Sequence, residues 1–248
     1  MKKILATLVG TICALLVFAG TGAAIAKAAP PGEPPDQRTS AGTGQASITD
    51  DDIAYVRDQL ASFGVNQATQ DSLIKNLLHG VPWQSMLPGA LPVSETENSD
   101  GQTRVVVSTY ADGSIAVSQT SLPIYPNDQP AGIQPRGVSG CAASGSSGYA
   151  WYYTNCKADV NLVLVEMWFN FNYENVSGTG ARITGYGAYG YYVIGSSYSN
   201  FRFNYMNSAQ TDLRLSANAD FAYQGFPVGW TAYMGVQVSG STATTYHN

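Results

Sequence analysis

The chain has 248 residues with 12 Lys and Arg against 17 Asp and Glu, a formal net charge of −5. Only 12% of residues are charged and the two histidines are His79 and His247. An acidic, charge-poor chain lacks the basic field that phosphate backbones or anionic membrane surfaces attract, which excludes nucleic acid as a partner. It also leaves little material for a histidine metal centre.

Lys2 and Lys3 precede an apolar run from Ile4 to Ala19, followed by the small-residue segment AAIAKAAP. This is the three-part form of a secretory signal peptide, residues 1–28, with cleavage expected after Ala26 or Ala28. Cys13 lies inside the apolar run and goes with it; a lipidated cysteine would follow the run instead. No later segment is long and apolar enough to span a bilayer, and the C-terminal STATTYHN carries no anchor signal. The expectation is a secreted, extracellular protein with no stable membrane span after cleavage.

Residues 29–46, APPGEPPDQRTSAGTGQA, have no apolar period and read as a disordered leader. Residues 47–120 read as a small α+β region. Thr49 with Asp52 three residues on predicts a helix start; Ile53, Val56 and Leu60 recur at helical spacing, and Gly64 stops the helix. A second helix is expected from Gln67 to His79, with Leu73, Ile74, Leu77 and Leu78 on its apolar face and His79 near its negative end. Asp50 to Asp52 suit a first helical turn better than a calcium loop, whose ligands are spaced along irregular backbone. Beyond Trp83, a lid for this small core, Asp112-Gly113 between TRVVVSTY and IAVSQT predicts a β-hairpin, docked as an arm or standing as its own unit.

Residues 121–136 carry four prolines and read as a linker. Past it, 13 of the 16 tyrosines and three of the four tryptophans lie in residues 137–248. The first half of the mature chain, residues 29–136, holds 12 acidic and 5 basic side chains; the second holds 5 and 4. In LVLVEMWFNFNY, residues 162–173, the odd positions from Val163 to Tyr173 are apolar while the even ones carry Glu166, Trp168, Asn170 and Asn172, so one face is buried and one wet. Leu213, Leu215, Ala217, Ala219, Phe221 and Tyr223 form a second buried row, and Val228, Trp230, Ala232, Met234, Val236 and Val238 a third. Six to eight one-sided strands predict an antiparallel β-sandwich. The fold class is mainly β, the sandwich being preceded by the helical hairpin and β-hairpin unit. With Cys13 removed, Cys141 and Cys156 have one possible pairing, a disulfide tying the first edge strand to its neighbour.

Chemistry for catalysis is thin. GSSGY lacks the final glycine and the strand-to-helix setting of a nucleophile elbow, C-x-x-C spacing is missing, and no catalytic, metal or cofactor residues are assigned. A glycoside hydrolase is the alternative, using Glu166 with Asp212 or Asp220 as carboxylates; the latter two lie about 26 Å apart along one strand, so a pair must form across strands. Ion pairs of Glu166 with Arg214 or Arg202 are the expected rival. Binding is better supported: Trp168, Asn170, Asn172, Tyr233 and Gln237 point outward, and flat rings beside amides are what a sugar platform needs. Trp151, Tyr152 and Tyr153 offer further rings. The tract GYGAYGYYVIG, residues 185–195, fits a protein-binding edge or a bulged strand, while nothing marks the insertion hairpin of a pore-forming toxin.

The segments GVPWQSM, YADGS, GVSGC and YTNCK together resemble secreted proteins of Gram-positive bacteria, over most of the mature chain. The resemblance implies export and a helical N-terminal region ahead of a disulfide-bearing β domain. It implies no activity, and no functional residue carries over. The expected function is therefore an exported, non-enzymatic protein whose β domain binds a cell-envelope or extracellular glycan, or a protein.

Overall fold

The computed structural model describes residues 48–125, 141–146, 149–221 and 230–248. The expected signal peptide, the leader, most of the linker and the inward positions Tyr223 and Val228 lie outside what it describes, as do the side chains of Ala219 and Phe221.

Helix α1 (Asp50–Ser62) opens with the capping box the sequence predicts: the Thr49 hydroxyl accepts from the Asp52 amide at 3.1 Å and the Asp52 carboxylate accepts from the Thr49 amide at 2.9 Å. Helix α2 (Gln67–Leu78) is capped by Asn66 and ends before Gly80, whose φ of 72° only glycine adopts without strain. Val56, Leu60, Leu73, Ile74 and Leu77 are buried between and beneath the two helices. Leu78 departs from the expected apolar face and is 56% exposed, because it lies one position beyond the stripe that Leu73 and Leu77 define. Trp83 is fully buried and donates Nε1–H to the Leu73 carbonyl at 2.8 Å.

Among the described residues, twelve strands make two sheets. In the N-terminal region these are β1 (Ser94–Ser99), β2 (Thr103–Thr109), β3 (Ile115–Ser121) and the two-residue β4 (Pro123–Ile124). Then come β5 (Cys141–Ser146), β6 (Ala150–Asn161), β7 (Val165–Val176) and β8 (Gly180–Val193). The last four are β9 (Ser196–Tyr205), β10 (Asp212–Phe221), β11 (Trp230–Ser239) and β12 (Thr242–His247). Strands β9 to β12 form the smaller sheet, in the order β12-β11-β10-β9.

The larger sheet branches at β6. One edge of β6 pairs β7, which pairs β8; along the other edge β5 pairs its first half and β3 its second, with Val117 opposite Asn161 and Ala142 opposite Thr154. The β2–β3 hairpin therefore continues the sheet of the C-terminal strands. Its turn is held from below: Asp112 accepts from the Gln84 amide at 2.8 Å, Ser114 Oγ accepts from the Ser85 amide at 3.0 Å, and Gly113, at φ 83°, abuts Thr69 of α2 so closely that a Cβ would collide. The turns after β2, β6 and β8 gather at this end, where Tyr55 of α1 packs edge-on against Tyr192 at 5.4 Å.

The sandwich is antiparallel apart from the β4–β5 contact, and its core lies between the inner faces. Val165, Met167, Phe169, Phe171 and Tyr173 face Leu213, Leu215, Ala217, Ala232, Met234, Val236 and Val238, all under 4% exposed or at it. Leu162, Val163 and Leu164, expected as strand, form a buried turn in which Val163 takes φ 68° and its amide donates to Asn161 Oδ1 at 2.7 Å. One flank is sealed by a buried hydroxyl pair, Thr120 with Thr245 at 2.6 Å. On the other flank, rings of β8 and β9 interlock, with Tyr186 against Phe203 at 4.4 Å and Tyr191 against Phe201 at 4.7 Å.

Cys141 and Cys156 form the disulfide, both fully buried, joining β5 to β6 beside a bulge. β5 is not an edge strand as expected. Pro123 and Ile124 pair with it in parallel on its far side, because the chain runs on from β3 in the same direction and passes alongside β5.

Candidate binding surface on the larger sheet

Period-two alternation along β7 turns Glu166, Trp168, Asn170 and Asn172 to the outer face of the larger sheet, each half-buried. Register places Trp168 between Asp159 of β6 and Gly190 of β8, and Asn170 opposite Lys157. The indole lies over Gly190 so closely that a Cβ there would come to 2.5 Å of the ring. Lys157 sits above, its Nζ 5.2 Å from the Trp168 ring centroid and donating to Asp159 Oδ2 at 2.7 Å.

Asn155 organises the amides. A bulge between Tyr153 and Cys156 gives Asn155 φ 57°, a conformation asparagine tolerates, so its amide N–H donates to Asn172 Oδ1 at 2.8 Å and its Oδ1 accepts from Asn170 Nδ2 at 3.3 Å. Beside them is a shallow groove of about 190 Å³ lined by Thr103, Gln119, Ser121, Asn155, Lys157, Asp159 and Asn170. The hairpin supplies three of these walls, and Ser121 Oγ accepts from the Lys157 amide at 3.1 Å.

Glu166 closes the helical end of this surface. Burial pushes its carboxyl above the ordinary range, the Asp159 carboxylate pushes it further, and Lys157 offsets part of that. Burial, then the nearby Glu166 and Tyr192, likewise raise the Tyr55 hydroxyl.

Tyr233 and Gln237 are elsewhere. They lie on the outer face of the smaller sheet, across the core from Trp168, and no single platform holds all five residues. There the Arg214 guanidinium covers the Tyr233 ring at 4.2 Å, Gln237 Nε2 donates to Asp212 Oδ2 at 3.0 Å, and Tyr246 Oη donates to Asp212 Oδ1 at 2.6 Å. Burial, reinforced by that bond to Asp212, pushes the Tyr246 hydroxyl up to about 12.

The same separation corrects two further expectations. Glu166 meets neither Arg202 nor Arg214, which belong to the smaller sheet, and it forms no pair with Asp212. Of the other rings, Tyr153 is fully buried and stacked on Tyr173 at 4.2 Å, Trp151 lies against Gly145, and Tyr152 is exposed. His79 Nδ1–H donates to the Lys75 carbonyl at 2.7 Å at the end of α2, while His247 ends β12, so the histidines belong to separate elements. Among the described residues no helix is long and apolar enough to cross a membrane, and no group of three or more His, Cys, Asp or Glu could hold a metal.

Sequence reasoning missed Asn155, Lys157, Asp159 and Gln119. Lys157 and Asp159 carried a signal, two charges at spacing two on the wet face of a strand. Gln119 carried none, since its place beside Asp159 depends on the hairpin joining the sheet. Neither a family model, nor a curated protein, nor a solved structure matches the chain.

Proposed function

We propose that this is an exported protein that binds a cell-envelope or extracellular polysaccharide on the outer face of its larger sheet. One observation carries the reading: a groove walled by Asn155, Asn170, Gln119, Ser121 and Thr103, with the half-buried Trp168 indole, laid flat on a glycine, directly opposite its lining residue Asp159. With Gly190 beneath the ring and Lys157 over it, the indole offers its apolar edge, and the amides and hydroxyls of the groove match sugar hydroxyls as both donors and acceptors. At about 190 Å³ the groove is smaller than the roughly 300–1,000 Å³ sites that enclose a small molecule, which suits one unit of a longer chain passing over an open surface. Lys157 is neutralised by Asp159, so the site favours an uncharged glycan.

The signal-peptide pattern and the disulfide support export, because disulfides persist in oxidising compartments. The resemblance to secreted proteins of Gram-positive bacteria points the same way. N-terminal sequencing of protein recovered from culture medium is expected to begin at Lys27 or Ala29; a chain beginning at Met1 and held in the cytoplasm contradicts export. Pull-down on insoluble polysaccharides tests the binding, with retention of the protein expected and no retention by any of them contradicting it.

A further inference from the structure

We propose, resting on the polysaccharide reading of this face, that the binding strip runs along β7 from the Trp168 groove to a second station at Tyr152. Its occupant is then an oligomer of several uncharged sugar units, and Tyr152 selects for that length. Tyr153 is fully buried and stacked on Tyr173 in the core, so its neighbour Tyr152 points to the outer face of the larger sheet. The bulge between Tyr153 and Cys156 shifts the alternation of β6 by one, and beyond it Lys157 and Asp159 point the same way as Tyr152. Register places Tyr152 opposite Glu174, and Glu174 opposite Arg182 of β8. Glu174 lies six residues beyond Trp168, about 20 Å along an extended strand. Asn170 and Asn172 fill the interval, both bonded to Asn155.

The two stations differ in what they offer. Trp168 has Gly190 beneath its ring and Lys157 over it, whereas Tyr152 is 45% exposed. A tyrosine ring presents an apolar body with a polar tip, which matches the C–H groups and hydroxyls that every sugar unit carries. Both ends are electrically neutral pairs: Lys157 donates to Asp159 at 2.7 Å, and Arg182 donates to Glu174 at 2.6 Å. Amides between two neutral ends give an anionic or cationic polymer no advantage over an uncharged one. A short sugar reaches one station only. A chain long enough to span about 20 Å reaches both, and its second contact is intramolecular once the first has formed.

Calorimetric titration of the protein with glucose, mannose and N-acetylglucosamine oligomers, each series running from disaccharide to octasaccharide, tests the strip. In at least one series affinity is expected to rise at least about tenfold with length. Tyr152→Ala is expected to abolish that rise while leaving the shortest oligomer that binds at its native affinity, and Tyr152→Phe, which keeps the ring, to preserve the rise. The side chain is exposed, so both variants fold, which an unchanged melting temperature verifies. Equal affinity at every length, a rise that Tyr152→Ala leaves intact, or one that Tyr152→Phe abolishes overturns the proposal and leaves the Trp168 groove standing. Binding to none of the three series overturns it too. No retention on the insoluble polysaccharides overturns the reading beneath it as well.

Discussion

Trp168 and Gly190 are cross-strand partners in which the indole of one lies flat on the backbone of the other. The same device recurs at Trp151 with Gly145 and Tyr246 with Gly235, so three glycines of the sandwich are seats for rings. Glycine in a strand gives up packing, and a ring laid across it restores the lost burial. Gly190→Ala is expected to lift the Trp168 ring and cost about 1–3 kcal/mol, the range for overpacking a filled site. Denaturant unfolding reads the loss, and a shift in indole emission reports the displaced ring.

The disulfide closes a loop of 15 residues between two fully buried sulfurs. Replacing Cys141 and Cys156 together by alanine is expected to lower stability by about 3 kcal/mol, on the chain-entropy scale for a loop of that length. Calorimetry with and without reductant measures it. The reductant is expected to lower the melting temperature of the native chain and leave the double variant unmoved.

Trp83 ties the segment that holds the β2–β3 turn to α2 through one buried hydrogen bond to the Leu73 carbonyl. Trp83→Phe keeps an aromatic ring but removes that hydrogen bond, and a loss of about 0.5–1.5 kcal/mol is expected. Proteolysis should then open the chain first within residues 48–90, since the core between the sheets is untouched.

Glu166 makes stability depend on pH with a sign opposite to most carboxylates. Its folded pKa is raised above the ordinary value of 4.5, chiefly by burial and then by Asp159. Between those two values the folded state binds more protons than the unfolded chain, so stability falls as pH rises through the window. Glu166→Gln, which keeps the shape and removes the charge, is expected to narrow the gap between stability at pH 4 and at pH 7. His247 works the other way: burial lowers its pKa below 6.5, and its contribution is present above that value and lost as pH falls. Unfolding measured at a series of pH values in the Glu166→Gln and His247→Gln variants separates the two.

What was legible in the sequence followed from periodicity. The odd row of β7, Val165 to Tyr173, and the rows through Leu213 and Met234 are buried as alternation requires, and the Thr49 and Asp52 capping box forms where its spacing placed it. Strand β1, SETENS, is exposed at every position and has no alternation to read; backbone pairing with β2 and the Glu97 to Arg104 ion pair at 2.7 Å hold it. Outward direction alone was readable for Trp168 and Tyr233, and it does not say which side of a two-layer fold a strand faces. That is fixed by pairing, through contacts between residues as far apart as Gln119 and Asp159.

The four indole N–H groups give separate reporters of where a ligand sits. Trp83 is fully buried, Trp230 is 8% exposed, and Trp168 lies opposite Asp159, one of the residues that line the groove. Titrating the labelled protein with a soluble oligosaccharide of a polysaccharide that retains it, and following those four signals by NMR, tests the binding surface directly. Movement of the Trp168 signal, lost in Trp168→Ala and kept in Tyr233→Ala, is the predicted result. A perturbation that leaves Trp168 still and depends on Tyr233 would contradict the account.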